Sequence, residues 1–208
     1  MGTLKVDNLQ KRDGTALITN GAATSNLLPE SALRTTDVGM VKLLTSTSSS
    51  GVANFDIDST YINSNYDNYR IIAGFTFATD NTILYTRFFV GGTIVEANYC
   101  YENGANTSST YNYDSLGGTY MQLAANFGNA TGETVTAQMD LTNVNSTSIA
   151  TRLQGQVFGG ATNGNTVGYN FQAGQDINSY NSVVNGIRFY MSGGNITMNN
   201  FAIYGLVK

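Results

Sequence analysis

The closest pair of carboxylates in the chain is Asp56 and Asp58, in the stretch DIDSTY. Residues two apart on a strand share a face, so the two could stand near one another. Paired acids are the basis of glycoside hydrolysis, and with carbonyl or amide oxygens added they bind calcium. Against both stands a simpler reading, a polar outer face opposite Phe55 and Ile57. On that reading no metal is bound, and Asp56 and Asp58 are left as the one calcium candidate. A second constellation is aromatic. NYCYENGANTSSTYNYDSLGGTY sets Tyr99, Tyr101, Tyr111, Tyr113 and Tyr120 among Asn, Ser, Thr and Asp. Tyrosine faces stack on sugar rings at small cost in side-chain entropy, and flanking amides and hydroxyls can bind sugar hydroxyls. These five are the candidate glycan-binding residues. The competing reading is that they simply cover a sheet.

Other chemistries are missing their parts. The chain has no histidine, which removes Ser-His-Asp and Cys-His catalysis and most zinc sites. Its single cysteine, Cys100, allows no disulfide within the chain and has no CxxC or histidine context. There is no phosphate-binding loop and no strand–GxGxxG–helix unit. No catalytic residue and no cofactor is therefore expected. The net charge of −4 argues against nucleic acid, which needs a basic surface to neutralise phosphates. No run of 18 apolar residues exists, so no membrane insertion is expected. The opening MGTLKVDNLQ has no apolar core of a secretory signal, and synthesis in a cytoplasm is the expectation.

The elements that must position these residues read as strands. Charged residues are only 12% of the chain, about half the usual share of roughly 25%; Asn, Thr, Ser and Gly supply the polarity, as turns and strands require. Residues 1–40 hold short apolar pieces between turn residues, none long enough to bury a face alone, and read as an extended attachment or oligomerisation segment. Residues 41–208 read as one β-domain. YDNYRIIAGFTFAT puts Tyr69, Ile71, Ala73, Phe75 and Phe77 on one face at period two. TILYTRFFVGG alternates Ile83, Tyr85 and Phe88 or Phe89, then turns at Gly91–Gly92. A loop is expected from Asn103 to Gly118. The last strand, NFAIYGLVK, is apolar on both parities, which suits a central strand or one facing a second subunit. With no helical periodicity between them, the strands imply an all-β chain, an antiparallel sandwich of jelly-roll type.

GTLKVDNLQKRDGTALITNG, DIDSTYINSNYDNYRIIAGF and the closing GIRFYMSGGNITMNNFAIYGLVK resemble stretches of virion structural proteins of marine bacteriophages, especially those infecting cyanobacteria. The resemblance implies a tail-fibre, knob or decoration protein in a virion. It also implies a homotrimer joined to other virion proteins through residues 1–40. The expected function is non-enzymatic: a tail-fibre-like or appendage protein whose sandwich contacts the host surface, with host polysaccharide as its partner. The alternative is a capsid decoration or fibre knob protein with a mechanical or weakly adhesive task. A polysaccharide depolymerase is the third reading, and it would need two acids converging in a groove.

Overall fold

The computed structural model describes residues 9–10, 16–19, 22–23, 39–46, 50–105, 111–176 and 182–208; the side chains of residues 9–23 and 111–116 lie outside that description. The chain divides into two compact units, Met1–Val41 with Val207, and Lys42–Leu206 with Lys208. In the first, β1 (Leu9–Gln10), β2 (Ala16–Thr19) and β3 (Ala22–Ala23) form a small antiparallel sheet. Leu9 pairs with Ile18, and Ile18 with Ala23.

The rest is β-structure without a helix among the described residues. Its strands are β4 (Met40–Ser46), β5 (Asn54–Ile57), β6 (Asn68–Phe77), β7 (Thr82–Val90), β8 (Thr93–Ile94), β9 (Tyr99–Ala105) and β10 (Tyr111–Gly118). There follow β11 (Met121–Phe127), β12 (Val135–Thr142), β13 (Arg152–Gly160), β14 (Thr166–Gln175), β15 (Val184–Met191) and β16 (Ile196–Leu206). They make an eight-stranded sheet, in the order β10-β9-β14-β13-β12-β6-β16-β4, and a smaller one built on β11-β7-β15-β5 with β8 beside β7. All the pairings with a given register are antiparallel. The architecture is an all-β sandwich.

Period two decides which side chains enter the space between the sheets. Tyr69, Ile71, Ala73, Phe75 and Phe77 of β6 are all buried, as the alternation predicts. Rings from the two sheets meet in the middle: Phe75 with Phe189 at 6.1 Å, Phe55 with Phe201 at 5.2 Å, Phe127 with Tyr169 at 5.9 Å. Each fully buried aromatic or aliphatic side chain of this kind contributes about 1.5–3 kcal/mol through removal from water. The turn into β7 uses Asn81 at φ 51°, and the β7–β8 hairpin uses Gly91 and Gly92 at φ 57° and 80°. Two successive residues of positive φ match the twist of a two-residue hairpin. The YDNYR phrase closes the loop before β6: the Tyr69 hydroxyl accepts the Asn63 N–H and donates to the Asn63 carbonyl, both at 2.9 Å.

Two expectations are corrected. In TILYTRFF the inward set is Thr82, Leu84, Thr86 and Phe88, and Ile83 and Tyr85 point the other way. Both parities there carry apolar residues, so alternation alone could not choose. The inward threonines are accommodated by hydrogen bonds, Thr86 Oγ1 donating to the Arg188 carbonyl at 2.8 Å. The stretch from Asn103 to Gly118 is mostly a β9–β10 hairpin rather than a loop, with Tyr111 opposite Gly104 and Tyr113 opposite Glu102. Asn103 is fully buried and donates to the Gln122 carbonyl at 2.9 Å, which frees it from the turn role its type suggests. The last strand, β16, is central in its sheet, between β6 and β4, with one face in the core. Phe201 and Ile203 are in the core, whereas Ala202, Tyr204 and Leu206 are half-exposed.

Candidate functional site

The outer face of the eight-stranded sheet is laid out by register. Because inward positions of β12, β13 and β14 take Val135, Ala137, Met139, Leu141, Leu153, Val157, Tyr169, Phe171 and Ala173 into the core, the alternate residues must face out. One row across the strands runs Glu102, Gln172, Gln154, Asp140, Arg70 and Tyr204. The next runs Asn170, Gln156, Gln138, Ile72 and Ala202. A third begins Gly168, Phe158 and Thr136. Rows on one face lie about 6.8 Å apart along the strands.

Over the first two rows lies an open groove of about 350 Å³, lined by Glu102, Asp140, Gln154, Gly155, Gln156, Asn170, Phe171 and Gln172. A hollow of about 140 Å³ continues it between Gln156, Asn170, Gly168 and Phe158. Beyond Phe158 a third hollow, of about 550 Å³, is bounded by Thr136, Gly159, Gly160 and the turn around Gly132 and Glu133. Glutamine and asparagine side chains both donate and accept hydrogen bonds, as sugar hydroxyls do. Phe158 is 54% exposed and adds an apolar surface.

The charged residues that line the groove are Glu102 and Asp140, and Arg70 pairs with the second of them. Arg70 donates to both oxygens of Asp140, Nε at 2.8 Å and Nη2 at 2.9 Å. That bond holds the guanidinium charge and raises the Arg70 pKa further above its ordinary value. Arg152 donates through Nη1 to the Gln175 carbonyl. Glu102 and Asp140 are three strands apart in their row, about 14 Å between backbones at the usual strand spacing. Glycosidase carboxyl pairs stand roughly 5–9.5 Å apart, and Asp140 already has a bidentate partner.

The five tyrosines are not one site. Tyr99 is fully buried, its hydroxyl accepting the Phe88 N–H at 2.7 Å and donating to the Val95 carbonyl at 3.0 Å. It is a core residue and has no face to offer a sugar. Tyr101 and Tyr120 stack at 6.2 Å, and Tyr120 meets Tyr85 at 4.2 Å, which in turn meets Tyr190 at 5.5 Å. Burial, reinforced by the neighbouring Tyr120, pushes the Tyr85 pKa up to about 12. Arg87 lies over the Tyr190 ring at 5.1 Å. These rings pack on one another, and none of them lines the groove. Tyr111 and Tyr113 are placed by backbone register on β10, next to Gly104 and Glu102, and their side chains lie outside the described residues.

The carboxylate pair separates as well. Asp56 gives its two oxygens to Arg188 Nε and Nη2, both at 2.7 Å. Asp58 accepts the Thr60 N–H at 2.9 Å in the turn that follows. With Asp56 taken up by an arginine, the calcium candidate loses a ligand, and no group of three metal-ligating side chains occurs among the described residues. Cys100 is half-buried, its Sγ near the Gly174 and Gln175 carbonyls at 3.8 and 3.9 Å.

The groove residues were missed because their signal is distributed. Gln154, Gln156 and Phe158 alternate in RLQGQVF, and Asn170 and Gln172 in YNFQ, but only the pairing of β13 with β14 sets them side by side. No protein-family model matches the chain, and no curated protein matches it.

Proposed function

We propose that this chain is a non-enzymatic structural protein of a bacteriophage virion, a tail-fibre-like or appendage protein. In this reading residues 1–40 attach it to other virion proteins, as a homotrimer, and the sandwich contacts polysaccharide on the host surface. The observation that carries the reading is the amide-lined groove on the outer face of the eight-stranded sheet. A face kept polar by amides, with few charges, offers many weak directional bonds that a repeating surface polymer can use in copies. The resemblance at both ends of the chain supplies the virion context. The separation of Glu102 from Asp140 favours binding over hydrolysis.

The test is binding of the labelled full chain to host cells and to their extracted surface polysaccharide, alongside its mass by light scattering. Replacing Gln154 and Gln172 together by Ala should abolish most binding with the melting temperature held. A three-chain mass agrees with an appendage. Full binding by the double variant would remove the groove from the function, and no binding by the parent chain would leave a decoration role on the particle as the better reading.

A further inference from the structure

We infer that Phe158 is the stacking platform for a ring of an uncharged glycan, and that the groove excludes acidic polysaccharides; this rests on the glycan-contact reading above. An exposed aromatic residue on a sheet is ordinarily covered in part by its cross-strand neighbours. Phe158 has Gly168 opposite it on β14 and the short Thr136 on β12. The glycine removes the side chain that would lie against the ring, and open hollows adjoin Phe158 on both sides. Over half of the residue is exposed, at 54%. A pyranose presents an apolar face of C–H groups to such a ring and turns its hydroxyls outward.

Those hydroxyls have partners one row away. Gln156 and Asn170 are directly paired across β13 and β14 and line the same hollow as Phe158. At about 6.8 Å along the strand, their amides reach the rim of a ring seated on Phe158. The next row, Gln154 and Gln172, continues the same amide surface into the open groove beside Glu102. The polymer therefore runs along β13 and β14, with one ring stacked and its neighbours hydrogen-bonded.

Charge sets the class of glycan. Among the described residues lining the groove over Gln154 and Gln172 are Glu102 and Asp140 and no lysine or arginine. The nearby Arg70 is held by both Asp140 oxygens. Asp140 being neutralised by Arg70, a uronate or sulfate in the groove would meet the Glu102 carboxylate as its nearest uncompensated lining charge, whereas an uncharged sugar meets only amides and the ring.

The test uses the full chain against immobilised dextran, mannan and galactan as neutral polymers, and dextran sulfate and alginate as acidic ones. The wild type should bind at least one neutral polymer and neither acidic one. Phe158→Ala should weaken that binding roughly tenfold, as loss of an aromatic stacking contact implies, and Phe158→Trp should restore it. Ile149→Ala, an equally exposed apolar residue outside the groove lining, should change nothing. Glu102→Gln should raise binding to the acidic polymers. Stronger binding to acidic polymers, or unchanged binding by Phe158→Ala, overturns the inference and leaves glycan contact standing. Binding to no polymer overturns both, and self-association of the chain that Phe158→Ala abolishes overturns the role of Phe158 alone.

Discussion

Tyr99 and Phe88 bolt the two sheets together: their rings meet edge-on at 5.8 Å, and the Tyr99 hydroxyl accepts the Phe88 N–H at 2.7 Å. Tyr99 belongs to β9 of the eight-stranded sheet and Phe88 to β7 of the smaller one. The same hydroxyl donates to Val95, just after the β8 hairpin strand. One phenol thus satisfies two backbone groups, at least one of them fully buried, and packs an aromatic pair worth about 0.5–1.5 kcal/mol beyond its area.

Replacing Tyr99 by Phe keeps the ring and removes the hydroxyl. The Phe88 N–H is then buried without its partner, at a cost of about 1–3 kcal/mol. Urea unfolding should show that loss as a lower midpoint with an unchanged slope, while binding to cells is retained. A variant as stable as the parent would mean that the Phe88 amide has another acceptor.

Gly155 is required by close approach. A Cβ there would run into the Gln138 carbonyl oxygen of the neighbouring β12 backbone, with the Met139 Cα at 2.9 Å. Backbone on a paired strand cannot swing aside as a side-chain tip can. Gly155→Ala should therefore cost about 1–3 kcal/mol as overpacking and distort the groove floor. Gly193, with nothing within 4 Å and no positive φ, is the control; Ala there should be neutral or stabilise by about 0.4–1 kcal/mol. Equal effects at both positions would refute the close-approach argument.

The Asp67 carboxyl is held below its ordinary value of 3.8, first by the Asn145 side-chain amide and then by Lys208. Asn145 Nδ2 donates to Asp67 Oδ1 at 3.0 Å, and Lys208 Nζ stands 3.0 Å from the same oxygen. A depressed carboxylate contributes stability above its unfolded pKa and loses it as pH falls through the folded one. Acidification below about pH 4 should erode stability through this group. Asn145→Ala should raise the Asp67 titration midpoint in carbon-detected NMR. An unmoved midpoint would transfer the cause to Lys208.

Tyr85 contributes to the loss of stability at alkaline pH. Its hydroxyl, raised from 10.0 to about 12 by burial and then by Tyr120, ionises in the unfolded chain before the folded one. Stability is full below pH 10 and is lost progressively as pH rises towards 12. Tyr85→Phe removes that ionisation, so the midpoint of alkaline unfolding should move up. Tyrosinate absorbance followed with circular dichroism will show it. A midpoint that stays or falls would place the weakness elsewhere.

Fold class and much of the inner face are legible in the order of residues alone. Strict alternation in YDNYRIIAGFTF has one outcome, because period two leaves a single face apolar, and all five of those residues are buried. The glycine pair at 91–92 likewise marked a hairpin, since few other residues adopt positive φ. Where both parities were apolar, as in TILYTRFF, partners decided: Leu84 and Phe88 entered the core while Tyr85 joined Tyr120 and Tyr190 outside it. Only the tertiary structure could separate Tyr99 from Tyr101, or take Asp56 from Asp58 by giving it to Arg188, 132 residues away. The groove belongs to that second class. Glu102, Asp140, Gln154 and Gln172 become one row through four strands paired in register, and register between distant strands is a property of the packed sheet, set when each strand turns its buried face to the core.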